Sequence, residues 1–321
     1  MSMRRRAPNA SWGLFVWLLS VQTGCGWIGL RNGSDHRAPN PEQTARNQQS
    51  SEHAQEAVDR GDYEQARLAL LRLATEAPGS AEAQQRLGMV LQLEGRLPEA
   101  EACFRAALQR DPDYVEALIG LGQVEAQQGE IMLALKHIEA GIEIDPQRPR
   151  AHFSLGQLLE SQGKTDEALA EYFRALELEP NNAEVSLNIA AIQLARSQPD
   201  QALSRLDQVA ELAPNNGEAR DLRGRAHFSL RHFTQAIDDF RAAVTRLPDR
   251  ADIYYRLALA LEAGRQPADA LRAAEQAVHL APDFADARAL SQRLALAAAP
   301  TGRSRARSKL SDSEAPAEPV K

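Results

Sequence analysis

Tryptophan disappears after residue 27: Trp12, Trp17 and Trp27 are all that the chain holds. Cysteine is almost missing too, with Cys25 and Cys103 alone in 321 residues. Two such distant cysteines make neither a metal set nor a disulfide framework. There is no basic excess. The 37 Lys and Arg are outnumbered by 44 Asp and Glu, for a net charge of −7. Interspersed charges of that balance favour solubility and exclude the electrostatic footprint of a nucleic-acid binder. No HExxH or CxxC occurs, and His36, His53, His137, His152, His227, His232 and His279 are scattered. His227 and His232, five apart, are expected on different helix faces. Ser161-Gln162-Gly163-Lys164 carries the letters SxxK across a turn rather than at the start of a helix. Gly120-Leu121-Gly122 sits inside a helical pattern with no strand before it, so it cradles no phosphate. These absences lead to the expectation of no catalytic set, no metal, no cofactor and no small-molecule substrate.

What is present is periodicity. In 149–182, Ala151, Leu155, Leu158 and Leu159 form one apolar helical stripe. Gly163 interrupts it, and Ala168, Tyr172, Ala175 and Leu176 form a second stripe that stops at Pro180. Two short helices joined at a glycine are too small to bury a core of their own. The chain answers by repetition at a spacing of 34. Ala66, Ala100, Ala134, Ala168, Ala202, Ala236 and Ala270 recur in register, as do Pro78, Pro112, Pro146, Pro180, Pro214, Pro248 and Pro282.

With Leu87-Gly88, Ala100, Phe104, Ala107 and Pro112 in one unit, and Leu155-Gly156, Ala168, Tyr172, Ala175 and Pro180 in another, the chain resembles the tetratricopeptide (TPR) repeat proteins. The resemblance covers residues 47–284. It implies an all-α fold: a right-handed superhelical solenoid of about seven helix-turn-helix repeats. The units are 47–80, 81–114, 115–148, 149–182, 183–216, 217–250 and 251–284, followed by a capping helix at 285–298 and a disordered tail at 299–321. The first unit has a polar first helix that offers only Ala54, Ala57 and Val58 to a core, as a terminal cap requires. Glycines close the turns at Gly95, Gly129 and Gly163, whereas Ser197-Gln198-Pro199 and Gly264-Arg265-Gln266-Pro267 are expected to replace the tight turn. Asp111-Pro112-Asp113 and Pro180-Asn181-Asn182 are expected to supply N-caps. In the cap, Ala287, Leu290, Leu294 and Ala297 are expected inward.

Residues 1–25 read as an export signal. Arg4, Arg5 and Arg6 precede the apolar stretch from Trp12 to Val21, and Thr23-Gly24-Cys25 is similar to the end of a bacterial lipobox, with Gln22 the departure. The resemblance implies lipidation at Cys25, followed by a flexible tether over 26–46. A signal anchor over 12–30 is the alternative: those 19 uncharged residues would form a helix of about 28 Å. Both readings place the repeats in the cell envelope, outside the cytoplasm, as a lipoprotein or a single-pass membrane protein. Gly26 after the cysteine is not the Asp that resembles an inner-membrane retention signal, so the lipobox resemblance implies outer-membrane placement.

The resemblance also implies a concave groove lined by the first helices. The fifth residue of successive units gives Ile119, Phe153 and Leu187, with Met89, Phe228 and Tyr255 extending the row and Gln85, Gln123 and Gln157 adding amides. Two roles fit these side chains: contact with a partner segment, or padding between hairpins. A carboxylate clamp of the kind some TPR domains carry is lacking, since Asn188 is isolated and the next unit offers Glu218 and Leu222. Unit 217–250 is dense in arginine, but interleaved aspartates make it read as a solvated face. Cys103 is expected to be half-buried without a bonding partner. The function that follows is a protein-protein interaction scaffold with protein partners in the envelope and attachment to the membrane. The alternatives are an assembly factor of a pilus or secretin machine, and a regulatory subunit of an envelope enzyme.

Overall fold

A computed structural model describes residues 41–76 and 80–298, with side chains from residue 47 onward. Cys25 and the whole export segment lie outside the described residues, as does the tail. Fifteen helices and no strand are found among the described residues. They divide between a first unit that ends at Pro180 and a second that begins at Asn181.

The first unit holds four hairpins: α1 (Pro41–Asp59) with α2 (Tyr63–Glu76), α3 (Ala81–Leu93) with α4 (Leu97–Arg110), α5 (Val115–Gln128) with α6 (Ile131–Ile144), and α7 (Pro149–Ser161) with α8 (Thr165–Leu178). The second holds three, α9 (Ala183–Ala195) with α10 (Pro199–Leu212), α11 (Gly217–Ser229) with α12 (Phe233–Arg246), and α13 (Ala251–Ala263) with α14 (Pro267–Leu280), then the single helix α15 (Ala285–Ala298). Helix α1 begins inside the stretch read as a tether. Pro41 opens it at a position where proline costs no backbone hydrogen bond.

The prolines end the second helices as their chemistry demands. Asp111, Asp145, Glu179, Ala213, Leu247 and Ala281 each precede one, and each leaves helical geometry with φ between −127° and −137°. Starts are less uniform. Ser80, Asn182 and Asn216 cap α3, α9 and α11 through side-chain oxygens. Asp113 does not cap α5, contrary to expectation. Tyr114 holds that place without a side-chain bond, and the Asp111 carboxylate instead accepts from the Asp113 N–H.

The intra-hairpin turns hold a second surprise. Gly61, Gly95, Gly129 and Gly163 take φ of 75–85°, and Ser197, Arg231 and Arg265 take φ of 57–63°. All seven stand 34 apart. The tight turn is therefore not replaced in the last three hairpins; it is kept, with a side chain forced into the left-handed region. Gly264, one residue early, has an ordinary φ of −78°.

Small residues permit the helix crossings. A Cβ added at Gly156 would stand 2.6 Å from the Tyr172 ring, and at Gly122 it would stand 2.6 Å from Ile138 and 3.0 Å from the Ala134 carbonyl. Gly88 and Gly120 flank Phe104, and Gly224 faces Phe240, in the same way. Where the first helix has alanine instead, at Ala190 and Ala258, the second supplies Leu206 and Ala274 rather than a ring. Tyr172 is fully buried, and its hydroxyl donates to Glu160 at 2.7 Å, so it cannot yield. Gly156→Ala should therefore cost about 1–3 kcal/mol by overpacking, read as a lowered urea midpoint at unchanged slope.

In α15 the core side is Ala287, Leu290 and Leu294; Ala297, expected inward, is exposed in the last turn. Ala54 and Ala57 of α1 are buried as expected.

Candidate functional site

Within each unit the first helices of neighbouring hairpins lie against one another, α3 on α5 and α5 on α7, then α9 on α11 and α11 on α13. No comparable packing joins second helices among the described residues. The side on which first helices converge is the one a groove requires.

The expected groove residues divide there. In the first unit Met89, Gln123, Phe153 and Gln157 are half-buried. Ile119 is not part of an accessible surface. It is 0% exposed, packed with Val115, Ala151 and Ile142, because α5 is covered by helices on several sides. Leu187 of the second unit is likewise core, packed with Ala190 and Leu206, so padding is the correct role for both. Gln85 is also buried. Phe153 leans on Tyr172 with ring centroids 5.8 Å apart. Phe228 and Tyr255 are half-buried, each against a ring of its own unit, Phe233 at 5.8 Å and Phe284 at 5.1 Å.

Polar side chains bind the three first helices together. Within α3 Gln85 donates to the Met89 sulfur at 2.7 Å, and Arg150 of α7 reaches that sulfur at 3.9 Å and donates to Gln123 Oε1 of α5 at 2.9 Å. Gln123 in turn donates to Ser154 at 2.8 Å. Both ends of the Gln123 amide are thus engaged, leaving Gln157 as the amide of that row with the greater freedom to meet a partner.

The second unit carries an ionic lattice, where its interleaved Arg and Asp residues lead to the expectation of a solvated face. Asp239 of α12 is 3% exposed and accepts from Arg223 Nε at 2.9 Å, Arg223 Nη2 at 2.7 Å and Arg220 Nη1 at 3.1 Å. Buried Asp221 accepts a bidentate pair from Arg256 at 2.8 and 3.0 Å, and Arg256 reaches Asp252 at 2.6 Å. Spacing offered a signal for part of this. Arg220 and Asp239 stand 19 apart, as do His152 and Glu171, whose Nδ1 and Oε2 are 2.7 Å apart in the hairpin α7–α8. His227 and His232, expected on different faces, approach across the turn to 5.7 Å between ring centroids.

Burial pushes the Asp221 carboxyl up, against the pull of Arg256. Burial works in the same direction on Asp252, but the hydrogen bonds and charges of Arg250 and Arg256 outweigh it and hold that carboxyl well below the usual range. A depressed carboxyl contributes stability that is complete above the unfolded pKa of about 3.9 and is lost as pH falls toward the folded value. Asp252→Asn should therefore lose stability at pH 7 and differ less from the native chain near pH 2, read by circular dichroism. Cys103 is half-buried as expected, and burial raises its thiol further from the reactive range.

Two family profiles described as tetratricopeptide repeat match the chain, one over 51–115, 86–149, 119–183 and 222–283, the other over 159–226. No curated protein matches in sequence. Among solved structures, the APC/C hetero-tetramer Cut9–Hcn1 is similar with a TM-score of 0.66 at 17% identity, covering 75% of this chain and 48% of that one. The chain thus spans about half the length of that relative. The structure of Pseudomonas aeruginosa pilF is similar with a TM-score of 0.62 at 19% identity, covering 66% of this chain and 97% of that one. YrrB, described as a TPR protein with an unusual peptide-binding site, gives 0.51 at 21% identity, covering 59% and 97%. These likenesses concern the fold. With the profiles spanning most of its length, its helices paired at a 34-residue period and its glycines set at the hairpin crossings, the chain belongs to the tetratricopeptide repeat family.

Proposed function

We propose that this protein is a non-catalytic docking scaffold of the cell envelope, held to the membrane through Cys25, whose first-helix faces take a segment of a partner protein. The observation that carries the docking part is the convergence of α3, α5 and α7, which sets half-buried Met89, Gln123, Phe153 and Gln157 on one side of the first unit. Family membership supports binding to proteins in general; the envelope part rests on Arg4–Arg6, the apolar stretch and Thr23-Gly24-Cys25. No helix among the described residues is long and apolar enough to cross a membrane, so attachment in this reading belongs to the N-terminal segment. A narrower role as an assembly factor of a pilus or secretin machine draws on the same pairing of lipobox and repeats.

Intact mass of the membrane fraction tests the tether. A chain beginning at Cys25 with added acyl mass, absent from Cys25→Ser, is the expected result; a full-length chain recovered from the soluble fraction would overturn it. For docking, a photo-crosslinking residue at Gln157 should capture an envelope protein that the same residue at Met132, 77% exposed on α6, does not. Equal capture at both positions would count against the groove.

A further inference from the structure

The ionic lattice of the second unit has one place where two guanidinium groups converge on a single buried carboxylate. Asp239 already accepts three hydrogen bonds from Arg220 and Arg223. His227 Nε2 lies 3.8 Å from the same carboxylate, outside hydrogen-bond range, and its Nδ1 is buried without a hydrogen-bond partner. The His232 ring closes the other side at 5.7 Å. We propose that the α11–α12 hairpin is an acid-released clasp: a proton added to His227, beside two guanidinium groups that share one buried carboxylate, loosens it.

The surrounding elements offer little to offset the added charge. Helix α10 brings Asp207, which is exposed and already accepts from Arg223 Nη1 at 3.2 Å. Helix α13 brings Arg256 and Asp252, which engage Asp221 and each other. Helix α9 brings only Glu184, in its first turn. On α11 itself Arg225 acts on Asp221. Burial leads in pushing the His227 imidazole below its ordinary value; Asp239 opposes this, Arg223 and His232 add to it, and Asp207 opposes more weakly. A basic group that binds its proton less tightly when folded gives stability that is present above its unfolded pKa and lost as pH falls through that region, about 6.5 for histidine. The element released is central, since α11 packs on both α9 and α13.

Hydrogen exchange of the full chain at pH 7.5 and 5.5, expressed as protection factors so that the intrinsic pH dependence divides out, tests the clasp. Protection in α11–α12 should fall roughly tenfold at the lower pH while α3–α6 changes less than about twofold. His227→Gln, which keeps a polar side chain that does not titrate, should shrink the fall to less than about threefold. A fall of equal size in every hairpin, no fall at all, or a fall unchanged in His227→Gln would overturn the proposal. Should His227→Gln not fold, ring-proton titration of the native chain decides: amide shifts of α11–α12 that track His227 support the clasp, and amides indifferent to it refute it.

Discussion

Phe104→Ala is expected to cost about 3–5 kcal/mol, among the largest losses available to a single substitution in the first unit. Phe104 is fully buried, and its ring lies between Gly88 of α3 and Gly120 of α5. A Cβ at either glycine would come within 2.9 Å of that ring, so the two helices are shaped around it. With the ring gone, neither glycine has a side chain that could swing into the hole, and helix backbone does not relax as a flexible side chain does. The cavity term is then retained nearly whole. Because a repeat array is stabilised by each hairpin and its neighbours, the damage should stay local. Exchange should quicken in α3, α4 and α5 and remain slow in α11–α14. A loss below about 1 kcal/mol would show that α3 and α5 close onto each other after all.

Asp239→Ala should rank beside it, at about 3 kcal/mol, by a different mechanism. No significant volume is at stake; two guanidinium groups are. Removing the carboxylate strands Arg220 and Arg223 beside buried apolar surface, and breaking one partner of a buried pair is far costlier than the pair's net contribution. Arg223 retains Asp207, which keeps the loss at the lower end of the usual range. Asp239→Asn, which preserves shape and accepts one bond without charge, should lose less than Asp239→Ala. Equal losses in the two variants, measured by urea denaturation at pH 7, would mean that charge plays no part.

Much of this architecture was legible because it depends on spacing. The alanines and prolines at a period of 34 fix which helix follows which, and the physical cause is local: proline excludes helix geometry from the residue before it, and glycine or alanine allows a close crossing. The groove was less legible. The expected apolar row contained Ile119 and Leu187, yet both belong to helices with apolar residues on nearly every side. In α5, Val115, Ala117, Leu118, Ile119, Leu121 and Val124 are all buried, so periodicity marks no single inward face. A helix wrapped by neighbours looks the same in sequence whichever side faces a groove. The turns failed for another reason. Ser197, Arg231 and Arg265 occupy the glycine position, and nothing in a serine or arginine announces a positive φ; only the period does. The lattice around Asp239 and Asp221 was hidden because pairing depends on which side chains are covered, and an interleaved run of Arg and Asp reads as solvated until α11 is seen against α12 and α13.

The reach of the polar contacts has a kinetic corollary. Among the described residues of the first unit, the bond from Arg150 to the Met89 sulfur spans 61 residues; in the second, Arg256 to Asp221 spans 35. Among the described residues the helices of each unit pack chiefly on those of the same or the next hairpin, so most contacts close short loops on the way to the native state. Chains of such low contact order fold quickly, and the rate is set by a hairpin and its neighbour rather than by total length. During synthesis, each hairpin has its packing partner as soon as about two repeat lengths have emerged, which keeps the interval of exposed apolar surface short for every part of the array.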